Sequence, residues 1–516
     1  MIQALVAGIE GGLLALLLVL RLNPEVRPDG MGLAVSAIEW AVWGGLGLGI
    51  VLLPLLLLVA WRWPGRRTSS VAAAAGTVTM LVLAAVIGWV DAEVLRTFLS
   101  GRAHRILGQD AVSLLGAALL VGLVTRWGRR SRRPAVCWVA MLFALAAPLV
   151  RIVAAPTPPP PTAESLRRGT KEAPPLLVVG VEGLDVSFLL THADSDRFPS
   201  VRHLLAAGSW GEVNAFTPFL RTALWTSAAT GSYPSLHGVK SSRAWRVPGL
   251  GEEPLRVLPW TPLGGRLLLP AWAAEVPPPP SRVPPLWRRL GSRDGSTVWG
   301  WPTPGTLDVE EGEGFPGVPG DLVSSLEGAL EPFGEDGRAL LERIRGDALR
   351  CELAVRAMEE QRSTVWLVIR SLAEARRRFE PTGTGDVDNR VVMGLELETL
   401  DVLLGRLLEG WSGRGPVAVL SPYGMSPPAG WERLRRLLGG AEEWRTSARA
   451  CPNGALFVVA RGAIPGHRFP RCEVVDMVPT LTYLLGLPLP AWVEGRVILD
   501  AVTPDYLAKT PLLVEE

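Results

Sequence analysis

The sequence predicts an α/β domain, with a central, mostly parallel sheet and helices on both faces, preceded by an all-α transmembrane bundle of about five helices. Long apolar stretches are concentrated before residue 155 of the 516-residue chain. After it, short apolar runs alternate with glycine, proline and arginine, as in a water-exposed α/β domain. A chain of this length exceeds one ordinary domain, so two regions in different solvents are expected.

Five apolar runs in the first region are each long enough to cross about 30 Å of hydrocarbon at about 1.5 Å per residue. The first run has no basic stretch before it and no small-residue cleavage site after it, so it is expected to stay as a helix. The runs show no pair of opposite charges inside the bundle, which does not favour a transporter. They lie at 3–20, 40–61, 71–90, 111–127 and 135–153.

Arginines in the loops predict the orientation of a multi-pass integral membrane protein. Basic residues follow the second run at 62–67 and the fourth run at 126–133, and loops of this kind are cytoplasmic. With an odd number of spans, everything after residue 155 is then extracytoplasmic. Arg96, Arg102 and Arg105 in the third loop reduce this contrast.

Composition excludes some classes of function. The net charge of +2 and the scattered arginines provide no basic surface for nucleic acid. The four cysteines have no C-x-x-C spacing, so they form neither a zinc knuckle nor a disulfide framework. Cys351, Cys451 and Cys472 are expected as buried free thiols, and a Cys451 to Cys472 bridge is the alternative in an oxidising compartment.

Composition also sets the predicted boundaries. Residues 1–154 are the transmembrane region, and 155–174 are a linker whose first part is mostly proline and therefore a stiff spacer. Residues 175–500 are the second domain. Residues 501–516 are a C-terminal tail.

The second domain begins with motifs in a distinctive order. The apolar run 176–181 ends at Glu182, as a buried parallel strand does when it places an acidic side chain at its carboxyl end. A helix at about 198–209 follows. The segment 217–239 then contains Trp-Thr-Ser-Ala-Ala-Thr-Gly and a Pro-Ser-Leu-His-Gly turn.

These motifs, with a Trp-Pro unit at 283–303 and the stretch 475–496, resemble the type I phosphodiesterase and nucleotide pyrophosphatase branch of the alkaline phosphatase superfamily. The resemblance covers about 175–500 in family order and implies an alkaline-phosphatase-like fold. It also implies a variable insert at about 241–285, which here is rich in proline, glycine and tryptophan.

In that family two divalent ions, usually zinc, are held by Asp and His residues beside a Thr or Ser nucleophile. Here Glu182 is the one acidic match, and Arg221 stands at the place of the nucleophile. A guanidinium stays protonated and has no acceptor, so it is no nucleophile. Thr222, one residue later, is either a substitute nucleophile in a shifted turn or the cap of the following helix.

The other ligand places carry residues that bind no cation. The resemblance therefore implies a degenerate site pocket, without a metal site or a catalytic residue other than the candidates Glu182 and Thr222. Its residues are Glu182, Arg221, Ala373, Arg377, Pro422, Tyr423 and Ala450.

Two functions remain open from the sequence. The first is a membrane-anchored pseudoenzyme with no cofactor, in which Glu182 pairs with an arginine and the remaining positive charge of Arg221 and Arg377 binds an anion. Its expected partners are membrane lipid, an anionic ligand in the vestigial pocket and an envelope protein. The alternative is an active phosphodiesterase or phosphotransferase that uses Thr222 and Glu182, with zinc or another divalent metal, on a phospholipid, nucleotide or glycan head group.

Overall fold

The structure is a computed structural model, and two compact units make up the chain. The helical unit comprises Met1–Thr162 and Pro234–Pro279, and the α/β unit comprises Ala163–Tyr233 and Pro280–Glu516. The predicted linker at 155–174 and Ala450 lie outside the described residues. These are 2–62, 68–130, 134–154, 175–192, 197–259, 269–290, 296–306, 308, 314–360, 362, 364–379, 387–425 and 453–515.

Five long helices form the first part of the helical unit, as predicted. Three of them contain stretches long and apolar enough to cross a membrane among the described residues, namely Leu5–Leu22, Ala74–Val94 and Gly101–Trp127. Gly12 and Gly44 let the first two helices pack closely, because a Cβ on Gly44 would lie 2.7 Å from the Gly12 Cα. The helices are α1 (Ile2–Leu22), α2 (Gly30–Arg62), α3 (Thr68–Val94), α4 (Gly101–Arg130) and α5 (Pro134–Ala154).

A buried ion-pair cluster joins three of these helices. Arg21 of α1 donates from Nε to one carboxylate oxygen of Asp110 in α4 at 2.5 Å. Arg151 of α5 donates from Nε to the other oxygen at 2.6 Å. The expectation that the bundle contains no paired charges is therefore wrong. These residues flank or end the apolar runs, and only the packing of the helices brings them together.

Residues 234–279 fold with the long helices. The amide oxygen of Asn23, just after α1, accepts the backbone N–H groups of Arg256 at 2.7 Å and Val257 at 3.0 Å. Glu25 lies 3.5 Å from Lys240 and 3.4 Å from Arg256, and all three side chains are buried. Because Asn23 and Arg256 are far apart in the chain, no local sequence pattern predicts this attachment.

The same segment contains a short helix, α9 (Pro234–His237), and a two-stranded antiparallel sheet of β3 (Ala244–Arg246) and β4 (Ala274–Val276). His237 accepts the Val239 N–H at Nδ1 at 3.0 Å. The imidazole thus stabilises the His-Gly turn.

The α/β unit is built on a seven-stranded sheet. Its strands are β1 (Leu176–Val181), β2 (Ser209–Asn214), β5 (Ser296–Trp299), β6 (Thr364–Ile369), β7 (Val417–Ser421), β8 (Gly454–Val459) and β9 (Cys472–Glu473). They lie in the order β5-β6-β1-β7-β8-β2-β9. β5, β6, β1 and β7 are mutually parallel, β8 is antiparallel to both β7 and β2, and β9 is parallel to β2. The predicted mostly parallel sheet is present.

Helices cover both faces of this sheet. Leu177 and Val179 of β1 pack into a core with Leu326, Ile344 and Leu400 from three of the helices. The helices of this unit are α6 (Val186–His192), α7 (Pro199–Ala207), α8 (Arg221–Thr230), α10 (Leu286–Leu290), α11 (Gly320–Leu330), α12 (Gly334–Glu359), α13 (Ser371–Phe379), α14 (Val387–Trp411), α15 (Met477–Leu484) and α16 (Pro504–Lys509). Cys351 and Cys472 are buried free thiols, and Cys451 lies outside the described residues.

A tryptophan cluster covers the opposite face of β1. Trp225 of α8 packs edge-to-face on Trp301 at 5.0 Å between ring centroids, and Trp301 packs on Trp366 at 5.2 Å. The Trp301 indole N–H donates to the Trp225 carbonyl at 3.0 Å. Gly180 of β1 lies against this cluster, since a Cβ there would be 2.7 Å from the Trp225 ring and 2.9 Å from Val368. The motif tryptophans thus position α8 on the sheet.

We expect Gly180→Ala to lower the free energy of unfolding by about 1–3 kcal/mol, because the tightly packed Trp225 ring has no room for a methyl group. Chemical denaturation of the full chain in detergent, followed by tryptophan fluorescence, measures this change. Gly394→Ala in α14 is the matched control: its Cβ meets nothing within 4 Å. It should be neutral or stabilising by up to about 1 kcal/mol. Equal effects of the two substitutions would contradict this account of the α8 contact.

Candidate functional site

The candidate site lies where three neighbouring parallel strands end. Arg370 follows β6, Glu182 follows β1, and Pro422 and Tyr423 follow β7. The order β6-β1-β7 places these residues at the carboxyl edge of the sheet. Open α/β sheets place their ligand sites at this edge.

An ion pair occupies the centre of this edge. Arg221 donates from Nε to Glu182 Oε1 at 2.5 Å and from an Nη to Oε2 at 2.7 Å. The Tyr423 hydroxyl donates to Oε1 as well. The Glu182 side chain is 10% exposed and that of Arg221 is 38% exposed. Both carboxylate oxygens are therefore bonded to protein donors in a bidentate, charge-assisted geometry.

The electrostatics keep this pair ionised. Burial by itself raises the pKa of Glu182, but the charge and hydrogen bonds of Arg221, the Tyr423 hydroxyl and the charge of Arg370 outweigh it, so the pKa is lowered. Burial and the negative charge of Glu182 raise the pKa of Tyr423 well above its usual value. The phenol therefore stays protonated and remains a donor.

The start of α8 aims Arg221 at Glu182. Leu220, with extended backbone, precedes the helix, and Arg221 is its first residue. Thr222 therefore lies inside the first turn, where its carbonyl accepts from the Thr226 hydroxyl at 2.7 Å. The expectation that Thr222 caps the helix is wrong, because a cap at Thr222 requires a helix that begins at Ala223, whereas α8 begins two residues earlier, with Leu220 at the cap position and no side-chain cap.

Aromatic contacts hold Tyr423 in place. Its ring packs edge-to-face on Phe219 at 4.3 Å and on Trp225 at 6.5 Å between centroids. Tyr423 is 2% exposed. Tyr423, where the resemblance implies a metal ligand, is thus part of an aromatic cluster beside the site.

Arg370 is a site residue that the sequence reasoning missed. It donates to Asp308 at 2.6 Å and, from its backbone N–H, to Asp347 at 2.9 Å. Its charge acts on both Glu182 and Arg221. A basic residue directly after the apolar run at 364–369 was the available signal, of the same kind that identified Glu182.

The two predicted site residues of α13, Ala373 and Arg377, lie in different places. Ala373 lies at the end of β1, where its Cα is 3.2 Å from the position of a Cβ on Gly183. Arg377 instead pairs with Glu374 and is 40% exposed. Arg376 is the residue that reaches the β1 end, where it donates to the Gly183 carbonyl at 2.8 Å. Consecutive helical residues point about 100° apart, which separates these two arginines.

Pro422 lies beside β8, because its carbonyl carbon is 2.8 Å from the position of a Cβ on Gly454. Ala450 lies outside the described residues.

The residues present do not fit the two-ion centre that the resemblance implies. Within the described parts of the chain, no group of three or more His, Cys, Asp or Glu side chains is arranged to hold a metal ion. Glu182 is the single carboxylate at the expected places, and its oxygens are bonded to Arg221 and Tyr423. Alanine, arginine, proline and tyrosine at the other described places offer no ordinary zinc ligand.

Comparison with known proteins gives a family match that begins at β1 and ends at residue 461. The family model for type I phosphodiesterase / nucleotide pyrophosphatase matches residues 176–461. Crystal structures of wild-type alkaline phosphatase PafA and of a mutant of it are similar at 12% identity, with a TM-score of 0.43, and cover 65% of this chain and 100% of theirs. No curated protein matches the chain.

A double-mutant cycle on Glu182 and Arg221 should give a coupling free energy of about 1–3 kcal/mol. Arg221→Gln leaves a buried carboxylate without its cation, whereas the double variant with Glu182→Gln removes both charges. Denaturation of the four full-length proteins measures the coupling. The surface pair Arg197 and Glu398, 2.6 Å apart and more exposed, is the control and should couple by less than about 1 kcal/mol. Additive effects at Glu182 and Arg221 would contradict the buried pair.

Glu396 of α14 should make stability depend on pH in the opposite sense to Glu182. Burial, with the negative charge of Asp347, raises the pKa of Glu396 to about 8. The folded protein then holds a proton that the unfolded chain loses near pH 4.5, so this contribution to stability falls between about pH 5 and 8. Relative to wild type, Glu396→Gln should gain about 1 kcal/mol per pH unit over that range. The exposed control Glu409→Gln on the same helix should show the same pH dependence of the free energy of unfolding as wild type. If the curve of Glu396→Gln is also parallel to that of wild type, Glu396 does not hold a proton in the folded protein.

Proposed function

Because the chain belongs to the type I phosphodiesterase / nucleotide pyrophosphatase family, we propose that it is a membrane-anchored member that binds a ligand or partner and does not hydrolyse phosphodiesters. The observation that carries the proposal is the bidentate bond from Arg221 to Glu182. It fills the place where the family resemblance implies a metal ion and a nucleophile.

Two physical costs oppose metal binding at Glu182. An incoming cation must displace the Arg221 and Tyr423 donors from the carboxylate. It must also approach a guanidinium that stays charged, and like charges repel strongly where water is scarce. Arg221 already supplies the positive charge that stabilises Glu182.

The same arginines support an anionic ligand. Arg221 is 38% exposed and Arg370 is 11% exposed, and both lie at the carboxyl edge of the sheet. A guanidinium has five N–H donors, of which Glu182 takes two from Arg221. A phosphate or carboxylate group fits the remaining donors.

Membrane anchoring is supported by the three long apolar helices. The arginine-rich loops after the second and fourth apolar runs favour an extracytoplasmic α/β unit, where an envelope protein is the expected protein partner.

Purified full-length protein in detergent should contain no stoichiometric zinc or manganese and should not turn over bis(p-nitrophenyl) phosphate, with or without added Zn²⁺. Elemental analysis and absorbance at 405 nm provide the two readouts. Titration calorimetry with inorganic phosphate should show binding at millimolar concentration that weakens in Arg370→Gln.

Stoichiometric metal together with turnover that Thr222→Ala abolishes would instead establish the active phosphodiesterase. Absence of both turnover and phosphate binding would leave the pocket without its proposed ligand class and would overturn that part of the proposal.

A further inference from the structure

A basic cavity opens at one end of the helical unit, remote in sequence from the pocket described above. Its volume is about 550 Å³, and it is formed between α4 and α5. Two arginines line it, Arg105 from α4 and Arg151 from α5, together with Gln109 and Ser113. Among the described residues, none that lines it is acidic.

The two arginines of this cavity differ in exposure and in how they are bonded. Arg151 is 26% exposed and is fixed by its bond to Asp110 at 2.6 Å. Asp110 also accepts from Arg21, so two guanidiniums share one buried carboxylate. Arg105 is exposed. Positive charge therefore exceeds negative charge at the cavity wall, and an anion would balance it.

A second cavity, also of about 550 Å³, follows the same pair of helices. Its lining is entirely apolar and includes Ala117, Leu120 and Val124 of α4 and Phe143 and Ala144 of α5. The small side chains of the alanines leave space along the contact between α4 and α5, which is called the α4–α5 seam below, and the Phe143 side chain is 74% exposed. This second cavity, the apolar groove, accepts a hydrocarbon chain.

The two cavities are arranged in the order of the parts of a phospholipid. Arg151 of α5 lines the basic cavity, and Val139 of the same helix lines the far end of the apolar one. At about 1.5 Å per residue they are separated by about 18 Å along α5. One leaflet of the hydrocarbon core is about 15 Å deep, half of the bilayer value. The apolar cavity thus lies at the depth that an acyl chain reaches below a phosphate on Arg151.

We propose that the α4–α5 seam binds one anionic phospholipid, with its phosphate on Arg105 and Arg151 and an acyl chain in the apolar groove. Arginine side chains bind phosphate groups through charge-assisted, bidentate hydrogen bonds. This inference rests on the membrane location in the proposed function and is independent of the catalytic state of the α/β unit. A free phosphate would use the basic cavity alone.

Native mass spectrometry of the full chain in detergent tests the proposal, with phosphatidylglycerol and phosphatidylcholine of identical acyl chains as probes. We expect one phosphatidylglycerol to be retained at least tenfold more tightly than phosphatidylcholine. Arg105→Gln and Arg151→Gln should each weaken retention about tenfold. Arg126→Gln, an exposed arginine near the other end of α4, is the matched control and should leave it unchanged.

Ala117→Trp fills the groove and should weaken phosphatidylglycerol binding while leaving any binding of inorganic phosphate intact. Because Arg105 is exposed, Arg105→Gln remains informative even if loss of the Asp110 partner unfolds Arg151→Gln. Equal retention of both lipids, no effect of Arg105→Gln, or equal displacement by inorganic phosphate would overturn the proposal. Alkaline carbonate extraction of membranes separates the causes: an extracted protein contradicts the membrane location itself, whereas a retained one leaves only this inference at fault.

Discussion

The ion pair between Glu182 and Arg221 is the interaction on which the character of the site depends. Glu182 directly follows the central strand β1, and Arg221 is the first residue of α8. A buried carboxylate requires a cation or a proton. In this chain a fixed guanidinium meets that requirement, so the charge of Glu182 is balanced without a metal ion. Tyr423 and Arg370 then complete the shell around the pair.

The fold does not depend on metal chemistry, because different residues maintain it. The Trp301 indole N–H donates to the Trp225 carbonyl, and the Trp225 ring packs against Gly180 of the central strand, so these contacts hold α8 on the sheet. Near the C-terminus, Asp476 accepts the backbone N–H groups of Glu473 and Arg496, both at 2.8 Å. None of these contacts uses Glu182, Arg221 or the Tyr423 hydroxyl. The packing that maintains the fold is therefore separate from the polar contacts of the candidate site.

The sequence predicts site residues that are marked by their neighbours in the chain, but it does not predict contacts that arise only when distant elements pack together. An acidic residue at the end of an apolar run identified Glu182 and its place in the sheet, and an arginine partner for it was expected. The start of α8 at Arg221 and the cluster around Asp110 depend on which surfaces meet in three dimensions. Helical rotation also separated Arg376 from Arg377, a difference that spacing alone does not resolve.

The claim that the Glu182–Arg221 pair takes the place of a metal ion is tested most directly by a crystal structure of the chain. Crystals are grown with excess Zn²⁺, and diffraction is recorded above and below the zinc absorption edge. We expect no anomalous peak within bonding distance of Glu182, and the Arg221 guanidinium within hydrogen-bond distance of both carboxylate oxygens. A zinc peak coordinated by Glu182, with Arg221 displaced, would show that the ion pair does not exclude metal.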